Sequence, residues 1–302
     1  MSDRLQELVV FVRTAESRSF SRAARELRLS QPSVSRIVSG LEARLGAKLL
    51  LRSTRRIAVT DAGAEFLDRA RRVLAELGEA EDAARGIDSL RGTIRLALPI
   101  VYGAREVIPR LAEFLRRHPE LHVEMTVSDE RQNLVAEGID VAIRVGALVD
   151  SAFGARKLAT LERFLVAAPR YLKARGRPET PADLAEHDCI FGPGALGRES
   201  WAFTRDGVAI TVDVRGRIHT DSGPGVLACA VAGLGIAMAS LVMFAEEMKR
   251  GVLVPVLPHY ALKPVEVHAL FPGGPRPSAK VQAFVDFLAG ALEKPMTSRA
   301  KR

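Results

Sequence analysis

Residues 19–45 read SFSRAARELRLSQPSVSRIVSGLEARL, and the way this stretch divides decides the architecture at the start of the chain. Ser19 and Ser21 can cap a short helix through Arg22-Ala23-Ala24-Arg25-Glu26-Leu27, because a serine oxygen accepts from an otherwise unpaired first-turn amide. After a brief break, Ser30-Gln31-Pro32 opens a second helix. Ser30 serves as its N-cap, and the proline is tolerated where its missing N–H would have no partner anyway. Val34, Ile37, Val38, Leu41 and Leu45 then form one apolar stripe, leaving Gln31, Ser33, Ser35, Arg36 and Ser39 on the opposite face. Ala23 and Ala24 allow the two helices to cross closely. Upstream, Leu5, Leu8, Val12 and Ala15 recur at helical spacing beside Phe11, giving an amphipathic helix that supports the pair. Small polar groups and arginine at the N-terminal end of a second helix suit the major groove of DNA, where they can meet base edges and phosphates.

Working outward, Leu49–Thr60 has apolar ends and a basic polar centre, which reads as a two-stranded hairpin or wing. It brings Arg52, Thr54, Arg55 and Arg56 toward a phosphate backbone. The charge distribution agrees. The 302-residue chain carries 44 Lys and Arg against 36 Asp and Glu, a net of +8. Residues 1–60 hold twelve basic and five acidic side chains, so +7 of that excess lies in the first fifth. A small basic module joined to a nearly neutral body is the pattern of a protein that faces nucleic acid or an anionic membrane. A merely solvated charge run would not combine a Ser-Gln-Pro opening with a basic wing.

From Thr60 to about Gly86 there is no proline, and Phe66, Ala70, Val73, Leu77, Ala80 and Ala84 recur at alternating steps of four and three. This is the seam of one long helix, built to meet another helix. Dimerisation is its natural use, and packing onto its own domain is the alternative.

Residues 3–63 resemble the winged helix-turn-helix domain of LysR-type transcriptional regulators. The matching stretches are Ser19–Ala24, Ser30–Arg36, Leu41-Glu42 with Leu45-Gly46, and Arg52–Arg56 through Thr60-Asp61-Ala62-Gly63. Arg28 departs from the family, standing where a glycine commonly ends the second helix, and Leu50 replaces a common phenylalanine. The resemblance implies promoter DNA as partner, with Ser30, Gln31, Pro32, Ser33, Ser35, Arg36, Arg52, Thr54, Arg55 and Arg56 on the DNA side. It also implies a homodimer or homotetramer through paired linker helices, contact with RNA polymerase, and a cytoplasmic location.

Residues 91–302 alternate short apolar runs with helical patterns, an α/β arrangement. Strands are expected at Thr93–Ile100, His122–Val127, Asp140–Val145, Phe164–Ala168, Cys189–Phe191, Gly235–Ser240, Leu253–Val256 and Val265–Phe271. Val208–Ile218 is a further apolar run of the same series. Helices are expected at Val107–Arg117, Gln132–Glu137, Pro224–Ala232 and Lys280–Leu292. The division then runs 1–60 winged helix-turn-helix, 61–88 linker and dimerisation helix, and 91–302 effector domain. The last splits into subdomain one (91–163 and 270–302) and subdomain two (164–269), a two-domain mix of α+β and α/β. Asp140–Gly146, Ala168–Leu172, His187–Ile190 and Ala232–Ala237 resemble the same family's effector-binding domain, which is built like periplasmic solute-binding proteins. Ligands in such folds lie at the carboxyl ends of the strands. By position, Pro99, Ile100, Val101, Tyr102, Ser128, Arg144 and Val145 line one wall of the cleft, with Phe203, Thr220 and Asp221 on the other. The ligand class implied is a small aromatic or carboxylic metabolite. The small hydroxyl residue usual at the first-strand exit is missing, since Ile100 and Val101 stand there.

Other chemistry finds little support. Gly192–Gly197 spells GxGxxG, but Arg198–Thr204 reads as a strand where a dinucleotide site needs a helix, so no cofactor is expected. His118 and His122 are four apart across Pro119, which breaks the helix that would align them, so no metal is expected. No nucleophile-elbow motif or catalytic site is found, and the reading is a regulator, not an enzyme. Cys189 and Cys229 lie in apolar runs as free thiols, which fits a reducing compartment. Gly225–Ala245 is uncharged, yet Gly233 and Gly235 interrupt it, so it reads as buried helix, turn and strand and not as a membrane anchor.

Overall fold

The computed structural model of the chain describes residues 4–52, 57–84, 90–148, 153–193, 198–272 and 277–293. It divides into two units, Met1–Ser89 and Leu90–Arg302.

The first unit runs α1 (Arg4–Ser17), α2 (Phe20–Glu26), α3 (Gln31–Leu45), β1 (Leu50–Arg52), β2 (Ile57–Val59) and α4 (Asp61–Ala84). Ser19 caps α2 by accepting the Arg22 amide, and Ser30 caps α3 by accepting the Ser33 amide, both at 3.2 Å. Phe11, Ala23, Val34, Val38 and Leu41 make the core. Helix α2 ends in a Schellman turn: the Leu29 amide donates to the Ala24 carbonyl at 2.9 Å and the Arg28 amide to Arg25 at 3.3 Å. That geometry forces Arg28 to a φ of 54°, a left-handed conformation that suits glycine and strains a residue with a Cβ. On α4, Phe66 meets Phe11 edge-on at 5.4 Å, and Leu67, Ala70 and Leu74 pack on the same core. Val73 and Leu77 stay exposed. The stripe of the long helix is therefore shared between its own domain and an open face; the side chains of Ala80 and Ala84 lie outside the described residues.

Glu42 joins α3 to the wing. Its side chain is 3% exposed, Oε1 accepts the amides of Leu49 (2.9 Å) and Leu50 (3.0 Å), and Oε2 accepts Lys48 Nζ at 2.9 Å. Burial alone would raise its pKa, but the bonds from Leu50, Lys48 and Leu49 outweigh it and hold the carboxyl below its ordinary value.

The second unit contains two lobes. Lobe one takes in β3 (Gly92–Leu98), α5 (Ile100–Tyr102), a π-turn at Gly103–Val107, α6 (Ile108–Arg117), β4 (Leu121–Val127), β5 (Val141–Val145) and β6 (Gly154–Leu161). Lobe two follows with β7 (Arg163–Ala167), α7 (Pro169–Arg175), β8 (Cys189–Phe191), β9 (Arg198–Arg205), β10 (Val208–Arg215), β11 (Ile218–His219), α8 (Gly223–Val231), β12 (Ile236–Ser240), α9 (Leu241–Lys249), β13 (Val254–Val256) and β14 (Ala261–Leu262). The chain returns to lobe one through β15 (Val265–Phe271) and α10 (Ala279–Leu292). The first sheet has the order β4-β3-β5-β15-β6, the second β11-β8-β12-β7-β13, and β10-β9-β14 forms a small third sheet. Strands β3, β4 and β5 are parallel, so their carboxyl ends share one edge. Phe114, Ile143, Val267 and Phe284 fill the core between the first sheet and α6 and α10. Leu165, Phe191, Trp201 and Phe203 fill one face of the second sheet, and Val166, Ala230, Ala237 and Phe244 the other.

Several elements differ from the sequence reading. Gln132–Glu137 forms turns and no helix, with only Leu134 of that segment buried. Val208–Ile218 breaks at Gly216, whose added Cβ would fall 1.7 Å from the Cys189 carbonyl oxygen, so β10 and β11 belong to different sheets. The return to lobe one begins at Val265, five residues before 270, because Val267, Ala269 and Phe271 alternate into its core. Gly225–Ala245 is the end of α8, a turn, β12 and the start of α9; no helix among the described residues is long and apolar enough to cross a membrane. Cys189 is buried and Cys229 half-buried, both as free thiols. Burial, reinforced by Asp188, pushes the Cys189 thiol up to about 12.

Two outcomes follow for the first unit. Arg28→Gly should stabilise it by on the order of 1 kcal/mol, whereas Arg28→Ala, which keeps the Cβ, should not; thermal unfolding of both variants separates backbone strain from lost charge. Glu42→Ala should cost roughly 1–3 kcal/mol for each amide left unpaired. Because the Glu42 pKa is depressed on folding, its contribution is present above the unfolded carboxylate value and lost as pH falls through the folded one. In acid-dependent melting, Glu42→Gln should therefore lose less stability than the wild type.

Candidate functional site

Helix α3 presents its N-terminal end to solvent because its apolar stripe is committed to the core. Ser30, Gln31, Pro32 and Arg36 are exposed, and Ser33 and Ser35 are half-buried. The Ser21 hydroxyl donates to Gln31 Oε1 at 3.0 Å, fixing that side chain from α2. The Ser30 and Ser33 hydroxyls lie 2.8 Å apart, so both take part in the cap and position the helix end. Arg36 is exposed about one turn further along α3. The wing strands pair Leu50 with Val59, Leu51 with Ala58 and Arg52 with Ile57. Thr54, Arg55, Arg56 and the side chain of Arg52 lie outside the described residues.

In the second unit, the segments leaving β3 and β4 meet the start of α8. Strand β3 stops at Leu98, and Pro99 opens α5, so Ile100 and Val101 sit on a helical turn that packs against α8 and α9. Pro99, Ile100, Val101 and Ser128 are half-buried, Val145 is exposed, and Ser128 joins the β3 exit through its amide to the Leu98 carbonyl at 2.9 Å. On lobe two, Thr220 Oγ1 accepts the Ser222 amide at 3.3 Å and Ser222 Oγ accepts the Gly225 amide at 3.3 Å, while Asp221 is exposed. Thr220 thus shapes the turn into α8.

Two expected wall residues belong elsewhere. Tyr102 is buried in the lobe-one core, and burial together with the nearby Glu106 carboxylate pushes its phenol up to about 12. Phe203 packs edge-on to Tyr260 at 6.4 Å in the lobe-two core, because the inward face of β9 covers the second sheet. Arg144 donates from Nη1 to the Glu130 carbonyl at 3.2 Å, which engages it in shaping the loop after β4. Its burial, then the neighbouring charge of Arg131, lower its pKa. Residues 194–197 of the GxGxxG run lie outside the described residues, and Arg198 begins the strand β9.

Two residues at this joint escaped the sequence reading. Asp129 accepts the Ile100 amide on Oδ1 at 3.0 Å and the Gly223 amide on Oδ2 at 2.6 Å, reaching both lobes. Arg105 donates from Nη1 to the carbonyls of Val242 (2.7 Å) and Met243 (3.0 Å) on α9. Only the position of Asp129 beside Ser128, after a strand exit, could have marked it.

Residues 88–293 match the family described as LysR substrate binding domain, and residues 5–64 match bacterial regulatory helix-turn-helix proteins of the lysR family. The transcriptional activator AaeR of Escherichia coli strain K12 is 33% identical over 306 residues, covering 99% of each chain. Among solved structures, CrgA, a LysR-type regulator from Neisseria meningitidis, is 30% identical with a TM-score of 0.59, covering 97% of this chain and all of that one. The full-length Vibrio cholerae virulence activator AphB is 27% identical with a TM-score of 0.57, covering 96% and 99%. Regulators of this kind bind promoter DNA and small-molecule effectors and form oligomers. Both halves of the chain match the same family in the same order, and the chain belongs to the LysR-type transcriptional regulators, DNA-binding proteins controlled through an effector domain and not enzymes.

Proposed function

We propose that residues 1–60 read paired promoter half-sites, that residues 61–88 join the copies, and that a small molecule held in the cleft of residues 91–302 changes the geometry between them. The observation that carries this reading is the concentration of +7 on the first sixty residues, around a capped α3 that exposes Gln31 and Arg36. Ser30 and Ser33 position that helix; Gln31, Pro32, Ser35 and Arg36 face base edges or phosphates; Arg52, Thr54, Arg55 and Arg56 follow the backbone from the wing. Exposed Val73 and Leu77 on α4 support a homodimer through the linker, and two dimers make the homotetramer. The cleft is built by Pro99, Ile100, Val101, Ser128, Val145, Thr220 and Asp221, with Arg144 shaping its edge, for an aromatic or carboxylic metabolite. The protein works in the cytoplasm and contacts RNA polymerase at its promoter. Coupling between DNA and effector sites is on the order of 1–3 kcal/mol.

Gel-shift titration with the upstream intergenic DNA should show affinity falling steeply with salt, by a log–log slope of about 0.9 for each phosphate contact. Arg36→Ala, Arg55→Ala and Arg56→Ala should each weaken binding and flatten that slope by about one contact; unchanged affinity in all three would refute the DNA-facing assignment. A thermal-shift screen of metabolites should find an effector, since a ligand at about 100 times its Kd adds about 2.7 kcal/mol.

A further inference from the structure

The joint between the two lobes contains a carboxylate whose partners lie on both sides of it. Asp129 accepts the Ile100 amide of lobe one at 3.0 Å and the Gly223 amide of lobe two at 2.6 Å. Gly223 lies close to both lobes: an added Cβ would stand 2.9 Å from Met243 Cε and 3.4 Å from Asp129 Oδ2 and Val101 Cγ2. The carboxylate is thus set between two donors and walled by apolar side chains. Arg105 ties the lobes separately through the Val242 and Met243 carbonyls, so the joint does not rest on Asp129 alone.

We propose that Asp129 is an internal ligand of the cleft and sets its specificity: its carboxylate occupies the two interlobe amides, and the effector meets this point with an uncharged group. The inference rests on residues 90–302 being an effector domain. A second carboxylate brought to the same amides would face Asp129 at short range, where like charges repel. It would also have to break two charge-assisted hydrogen bonds. A neutral group meets Val101 and Met243 and displaces no bond. At this one point of the cleft the exclusion of a carboxylate is therefore set by one residue, and removing that residue should open the two amides to a carboxylate.

The test is hydrogen exchange by mass spectrometry on the full-length protein, following residues 99–103 and 222–226. Wild type, Asp129→Asn and Asp129→Ala are compared with sodium acetate and with sodium chloride at equal ionic strength. Exchange should be faster by about tenfold or more in both segments of Asp129→Ala, and in at least one segment of Asp129→Asn, which keeps the size but turns one acceptor into a donor. Acetate should slow Asp129→Ala back toward the wild type and leave the wild type unchanged. Wild-type exchange rates in the variants, or equal protection of wild type and Asp129→Ala by acetate, would overturn the proposal. If Asp129→Ala fails to fold, Asp129→Asn decides by the same exchange criterion. Neither readout uses an effector or DNA, so failure here leaves the effector reading intact, and a fruitless metabolite screen bears only on that reading.

Discussion

A buried backbone amide at the edge of an element must be paired, and this chain repeatedly pairs such amides with carboxylates from distant segments. Glu42 of α3 accepts the amides of Leu49 and Leu50, where the first wing strand begins. Asp140 accepts the Arg95 amide of β3 at 2.8 Å, and Asp129 accepts those of Ile100 and Gly223. Each carboxylate stabilises two segments as one body, and a charged acceptor makes a stronger bond than a carbonyl would. Without Glu42, the first wing strand and the helix that precedes it would lose their fixed relation.

The effector domain faces the opposite requirement, because its lobes must stay joined while remaining able to respond. Only Glu162 separates β6 from β7, and Lys263 with Pro264 separate β14 from β15, so the crossings are short and the lobes cannot drift apart. Each lobe has its own core, and among the described residues the joint combines apolar packing of α5 on α8 and α9 with directional bonds from Asp129, after β4, and Arg105, in the turn after α5. Side chains in packed cores resist small displacements, whereas a joint held by a few directional bonds can exchange one arrangement for another.

Much of the first unit was legible in sequence, because its signals are local. Ser19 and Ser30 act on amides three residues away, and the stripe Val34, Ile37, Val38 and Leu41 needs only helical geometry to name its face. Even the departure at Arg28 was visible, although its strain appears only with the φ of 54°. For the expected cleft walls, position in the fold was the only guide in the sequence. Tyr102 and Phe203 were expected on those walls from their place at the first-strand exit and in the Trp201–Phe203 strand, yet a helical turn and a strand each send some side chains away from any given face, and these two fell on the core side. The segment Gln132–Glu137 looked helical from its residues, but it needs only Leu134 for anchorage and otherwise follows the loop around Arg144.

The amino-acid order by itself determined the basic first module, the capped recognition helix, the long linker helix and the alternation of strands and helices that follows. Those features depend on residues within a few turns of one another. Tertiary structure alone decided that Phe66 and Ala70 of the stripe are spent on Phe11 and its neighbours, that Arg144 serves the loop after β4, and that Asp129 bridges to Gly223, 94 positions away in sequence. No periodicity carries such a pairing, because the distance between those residues is set by how two lobes close and not by any local turn of the chain.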